Sequence, residues 1–224
     1  MGTIQILRWL LNSVEIVSVI AGFLCWSKLK GTYWKWFPFY LLFIAAAELT
    51  GKYFSLMGWK ELNLGLFNYL VIPVEFLFFY WLFYQSFKKS NYNWLPFFST
   101  VVYLVCLLFD YLFLSKKQLW FLSFSYTIGN LLLLVLIFRF YYKMVTTDAI
   151  LSFKENRLFW VSSGLLLFYL GSFPYYGLLN TMSHNYPALC TTYRYVVIVL
   201  NILMYLMFTF SFIWGKPNTK YSSS

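Results

Sequence analysis

Seven stretches of this chain, at about residues 8–26, 36–57, 64–86, 94–114, 119–142, 157–180 and 190–214, are long and apolar enough to cross a lipid bilayer as helices. A hydrocarbon core about 30 Å thick takes roughly 20 residues of helix, and short Lys-bearing turns separate the seven runs. A chain of 224 residues that is 61% hydrophobic, 25% aromatic and only 11% charged cannot hide that surface from water, so the solvent of this fold is lipid. The expected fold class is an all-α integral membrane protein, a seven-transmembrane-helix bundle. It fills residues 1–215 as one domain, and a short disordered tail follows over 216–224. The first run carries Glu15 and lacks a small-residue cleavage site, which marks it as a retained helix and not a removed leader.

Lys and Arg on alternate sides of the runs orient the chain. The side of the N-terminus holds six, Arg8, Lys52, Lys60, Lys116, Lys117 and Arg194. The opposite side holds eleven, namely Lys28, Lys30, Lys35, Lys88, Lys89, Arg139, Lys143, Lys154, Arg157, Lys216 and Lys220. Basic residues favour the cytoplasmic face, so the N-terminus is expected outside and the C-terminus in the cytoplasm of a cell that holds this multi-pass protein in its inner, cytoplasmic membrane. The connection from Tyr142 to Arg157 is then cytoplasmic, and Thr147 with Asp148 can cap a short amphipathic helix on the inner surface; a solvated connector is the first reading of this segment and a docking place for a partner the second. The tail from Asn218 reads as disordered. The net charge of +10 is spread over helix ends facing lipid headgroups, with no compact basic patch for nucleic acid. Trp34, Trp36, Trp59, Trp94, Trp120 and Trp160 lie near the run ends and read as interface anchors.

Polar residues inside the runs fall at three- and four-residue steps, which stacks them on single helix faces. The first run places Asn12, Glu15, Ser18 and Gly22 together; the second places Ala45, Glu48 and Lys52, with Glu before Lys in the order that favours a pair. The third aligns Asn68, Ile72 and Glu75. The fifth carries Ser123, Tyr126, Thr127 and Asn130, the sixth Tyr169, Ser172, Tyr176 and Asn180, and the seventh Arg194 and Asn201. Nearly all lie in the outer half or at the midplane, whereas the inner halves read FLFFYWLF, LLLLVLIF and LMYLMFTF. A charged side chain facing lipid at mid-depth costs roughly 3 kcal/mol on insertion scales, so these groups are expected to face the bundle interior and line an outward-opening polar pocket. Glu75 follows Pro73, which removes a backbone donor and kinks a helix. Glu15 is expected to reach toward the outer surface, and Asp110 to sit wet at a helix end.

The run IPVEFLFF, from Ile72 to Phe79, resembles the proline-x-glutamate motif of the membrane-embedded lycopene cyclases. That resemblance implies a carboxylic acid, Glu75, protonating a polyene end group. The family shows paired acids after the proline and repeats the motif in its second half; here position 76 is Phe, and SFPYYG from Ser172 to Gly177 holds no acid. The longer stretch FNYLVIPVEFLFFYWLF, with AELTGKY from Ala47 to Tyr53, is similar to small seven-pass membrane proteins of Bacteroidota-type bacteria, a likeness that carries no activity with it.

Several chemistries lack their residues. His184 is the single histidine, so HExxH and multi-histidine zinc sites cannot be assembled. Cys25, Cys106 and Cys190 lie on three runs with no CxxC spacing. The seventh run has no lysine for a Schiff base, and no Gly-rich phosphate loop or GxSxG elbow occurs. No metal and no cofactor is expected. The reading that remains is a non-enzymatic membrane protein that binds a small-molecule or lipid ligand and acts through a cytoplasmic or membrane partner. Its candidate site is Glu15, Glu48, Lys52, Asn68 and Glu75, with Asn130, Tyr176, Arg194 and Asn201 as the facing wall. The rivals are a lipid- or isoprenoid-modifying enzyme with Glu75 as general acid, and a proton- or cation-conducting bundle with Glu15, Glu48 and Glu75 as relay.

Overall fold

The structure is a computed structural model that describes residues 2–88, 90–114 and 121–216. Lys89, Lys116, Lys117, Trp120, Lys220 and the tail beyond Lys216 lie outside the described residues. Seven helices are long and apolar enough to span a membrane: α1 (Ile4–Leu24), α2 (Tyr33–Leu56), α3 (Lys60–Phe87), α4 (Trp94–Leu114), α5 (Ser123–Val145), α6 (Arg157–Gly177) and α7 (Pro187–Ile213). The protein is thus a polytopic, all-helical membrane protein, and among the described residues no strand forms. Each span lies within a few residues of the run that signals it, because length and apolarity alone set it.

The helices keep different shares of themselves inside the protein. α1 and α4 are only 22% and 17% buried, against 50% for α6 and α7, so residues such as Trp9, Ile16, Phe97, Val105 and Leu108 are exposed where acyl chains would cover them. α2 opens with a 3-10 turn over Tyr33–Lys35, and α3 and α4 each contain a π turn. In α3 a π turn over Phe67–Val71 immediately precedes Pro73, and α4 ends in a second π turn over Asp110–Leu114. Proline cannot donate to the carbonyl four residues back and its ring clashes with it; widening the preceding turn relieves that contact. The expected disturbance at Pro73 is therefore a π turn. It adds a residue to the turn between Asn68 and Ile72, so Asn68 and Glu75 are offset by about 100° from the straight-helix alignment expected for them.

The chain resolves into two compact units. The first comprises residues 2–42, 137–172 and 191–216. Within it, a Cβ at Gly22 of α1 would stand 3.0 Å from Pro38 and 3.2 Å from Phe212, and one at Gly164 of α6 would stand 3.1 Å from the Met204 carbonyl oxygen. Gly164 lets α6 approach the backbone of α7, and Gly22 makes room for the Pro38 and Phe212 side chains, as small residues do where membrane helices meet. Phe37 packs on Phe208 and Phe212 with ring centroids 5.2 and 5.3 Å apart. The second unit comprises residues 43–136 and 173–190. Its centre is aromatic: Phe76 lies 5.0 Å from Tyr103 and 5.5 Å from Tyr126, and Tyr126 lies 4.7 Å from Tyr176.

The connection after α5, where a short amphipathic helix is expected, forms a 3-10 helix over Asp148–Glu155. Thr147 occupies the N-cap position with extended backbone, yet its hydroxyl donates back to the Lys143 carbonyl at 2.9 Å instead of accepting from the new helix. Trp34 also corrects the sequence reading. It is fully buried, while Trp36, Trp59 and Trp94 are about half exposed, as interface anchors are.

Candidate functional site

The nine candidate residues divide between the units. Glu48, Lys52, Asn68, Glu75, Asn130 and Tyr176 belong to the second unit, and Glu15, Arg194 and Asn201 to the first.

In the second unit the π turn of α3 buries Asn68, whose Oδ1 accepts the Leu122 backbone N–H at 3.4 Å, just ahead of α5. Asn180, beyond α6, holds the same entry segment: its Oδ1 accepts the Phe121 N–H at 3.1 Å and its Nδ2 donates to the Phe121 carbonyl at 2.8 Å. Asp110 is buried, not wet, and its Oδ2 accepts the Ser125 N–H at 2.9 Å. That N–H belongs to the first turn of α5, where backbone donors lack helical partners and the macrodipole favours an anion. The carboxylate expected at a wet helix end is in fact a cap donated by a neighbouring helix.

Tyr103 stands one helical stretch before Asp110 on α4. Its ring is fully buried against Phe76 and Tyr80, and its hydroxyl has no hydrogen-bond partner. Both Glu75 and Asp110 act electrostatically on that hydroxyl. Tyr80, its neighbour, donates to the Gly129 carbonyl at 2.7 Å. A Cβ at Gly129 would lie 2.9 Å from the Tyr103 ring and 3.1 Å from Phe76, so only glycine lets α5 approach here. Asn130 beside it is fully buried, and Tyr176 is half-buried against Tyr126 and Phe121. Glu48 and Lys52 are half-buried on α2. The polar interior of this unit thus gathers Glu75, Tyr103, Asp110 and the aromatic wall of Phe76, Tyr126 and Tyr176.

In the first unit Glu15 is buried, contrary to the expectation that it reaches outward, and accepts from the Tyr205 hydroxyl at 3.4 Å. Asn201 lies one turn before Tyr205 on α7 and is half-buried, with its Oδ1 unpartnered. Ser18, one turn beyond Glu15 on α1, is fully buried with its hydroxyl unpartnered. Arg194 is exposed.

Tyr103, Asp110 and Tyr205 complete these clusters and were not among the sequence candidates. A signal for the first two exists. Ser99, Tyr103, Cys106 and Asp110 repeat at four-, three- and four-residue steps along α4, a polar stripe on one face of a helix that is otherwise apolar. Comparison of the chain with models of protein families, with curated proteins and with solved structures returns no match.

Proposed function

We propose that this multi-pass membrane protein binds a small or lipid-like ligand carrying a polar group at the cluster of Glu75, Tyr103 and Asp110, and acts through a partner and not by catalysis. The observation that carries the reading is the Tyr103 hydroxyl, fully buried and without a hydrogen-bond partner, on a helix whose next turns carry the buried carboxyl of Asp110. A buried hydroxyl left unpaired costs about 1–3 kcal/mol, and unpaired buried polar groups in membrane interiors mark functional positions. A ligand hydroxyl, amide or ammonium group would give the Tyr103 phenol the partner it lacks. Asn68, Asn130 and Tyr176 extend the polar lining, and the Lys and Arg asymmetry makes the site open outward.

The reading is tested by native mass spectrometry of the chain purified into nanodiscs. Tyr103→Phe removes one oxygen and nothing else. The expected result is a copurifying small molecule on the wild type that is absent from Tyr103→Phe and from Glu75→Gln, with the melting temperature of the ligand-free protein unchanged or raised in Tyr103→Phe. Retention of the molecule by both variants, or its absence from the wild type, overturns the reading. Conversion of a polyene supplied to the nanodiscs and abolished by Glu75→Gln would replace it with the acid-catalysed rival.

A further inference from the structure

At the end of the first unit where α6 begins and α7 stops, Arg157 is fully buried. Its Nε donates to the Ser211 carbonyl at 3.2 Å and its Nη2 to the Gly215 carbonyl at 2.6 Å. The Ser211 carbonyl lies in the last turn of α7, where it also accepts the Gly215 N–H at 3.1 Å, and Gly215 lies just past the helix end, where a cation is favoured. The guanidinium also lies 5.4 Å from the centre of the Trp34 ring. No carboxylate among the described residues pairs with it; Glu155 is taken by Lys216, with Nζ 3.0 Å from Oε2.

Donors remain unspent around this charge. Arg157 Nη1 and Asn156 Nδ2 are buried with no partner, and the Trp34 indole N–H lies against the Tyr33 hydroxyl beside them. Asn156 spends its oxygen on the N-terminus of α6, accepting from Leu158 at 3.0 Å and Phe159 at 3.3 Å. Every unsatisfied group is therefore a donor, one carries a full positive charge, and the first turn of α6 adds the positive end of a helix dipole. An oxyanion with several acceptor oxygens is the ligand that such a set matches.

A short strap covers the place. Trp214, Gly215 and Lys216 cross over Arg157, and the Lys216 N–H donates to the Glu155 carbonyl at 2.6 Å. A Cβ at Gly215 would collide with Arg157 and with the Ser211 carbonyl oxygen, so only glycine lets the strap lie this close. The ion pair that fastens it is exposed on both sides, at 70% and 58%, and exposed pairs hold weakly. Lifting the strap breaks the Arg157–Gly215 and Lys216–Glu155 hydrogen bonds and draws Trp214 off Phe210 and Trp160, and it frees a second guanidinium donor for a ligand.

We propose that Arg157, Asn156 and Trp34 form a binding site for a phosphate-type oxyanion beneath the Trp214–Lys216 strap. Its phosphate comes from an anionic lipid headgroup or from a free phosphate. Basic pockets at the ends of membrane helices bind headgroups in this way.

The test uses the full chain in nanodiscs of phosphatidylcholine alone or mixed with phosphatidylglycerol, each with and without inorganic phosphate, reading the melting temperature against anion concentration. A rise of several degrees is expected in at least one arm. The arm that responds assigns the source. Asn156→Asp keeps an oxygen to cap α6 but removes a donor and supplies Arg157 with its own carboxylate; it is expected to weaken the apparent affinity about tenfold, the scale of one charge-assisted hydrogen bond. Trp34→Phe keeps the ring and loses only the N–H, and is expected to weaken it several-fold. Lys30→Gln removes an exposed charge and is expected to leave the response as it is. No shift with either phosphate source overturns the proposal, as does an unchanged response in both Asn156→Asp and Trp34→Phe. A loss in Lys30→Gln as large as in Asn156→Asp also overturns it, because the effect is then the general surface field.

Discussion

Asp110 accepts the Ser125 N–H at 2.9 Å in a setting with almost no solvent, and the free energy of that one contact is large because the donor has no helical alternative. Asp110→Ala would strand a buried N–H and remove an anion from a helix N-terminus, so unfolding should become easier by about 1–3 kcal/mol. Asp110→Asn, which retains an acceptor oxygen, should recover more than half of that loss in a thermal or denaturant titration of the protein in detergent. Gly129→Ala tests packing at the same place: with its Cβ 2.9 Å from the Tyr103 ring, the substitution should cost about 1–3 kcal/mol by overpacking, and Tyr103→Leu in the same chain should relieve part of it. Residue identity in the sequence marks such positions as polar at membrane depth, and no more. Asp110 reads as a wet helix-end residue because its partner lies fifteen positions on, a contact that periodicity within one helix cannot supply. Glu15 reads as surface-seeking for the same reason, since Tyr205 is 190 residues away.

At the scale of elements, the π turn over Phe67–Val71 decides which way Glu75 faces. Each residue of an α-helix advances about 100°, and the π turn holds one residue more than the α pattern requires. Replacing Pro73 by alanine restores the missing backbone donor and should let α3 close as regular α-helix with all its residues, turning Glu75 by about 100° relative to Asn68. The expected outcome is loss of the bound molecule with the protein still inserted in the membrane, whereas deleting Leu70, which is 45% exposed, removes the extra residue of the π turn, keeps the faces on either side in step and retains the molecule. Retention in Pro73→Ala would show that the π turn does not orient the acid. The sequence makes the disturbance legible through Pro73, because the missing donor is a property of the residue. It leaves the form of the disturbance open, since a kink and a π turn both relieve the clash. The loop before α6 teaches the same lesson: Thr147 marks where a helix starts, but with Ser152 off helical geometry the segment closes as 3-10 turns.

The whole chain is legible where one force acts on long segments and obscure where contacts join distant ones. Seven spans follow from apolar length alone, whereas the two units are each stitched from separate segments, three for the first and two for the second, and no local pattern announces that assembly. Orientation is again a property of the whole, summed over eleven basic residues on one side and six on the other. The difference is carried by short connections, to which the rule applies best, and seven spans necessarily put the two ends of the chain on opposite sides of the membrane. A green fluorescent protein fused after Ser224 should therefore fluoresce, and alkaline phosphatase fused at the same point should be inactive, when each is expressed in bacteria with an intact inner membrane. Because the basic excess is spread over Lys28, Lys30 and Lys35 as well as the Arg139–Arg157 region, neutralising only one group should leave a majority of the chain in that orientation, and neutralising both should produce a mixture read as partial activity from both reporters. Active phosphatase on the unaltered chain would reverse the orientation, turn the Glu75 cluster toward the cytoplasm, and place the Arg157 strap at the outer leaflet.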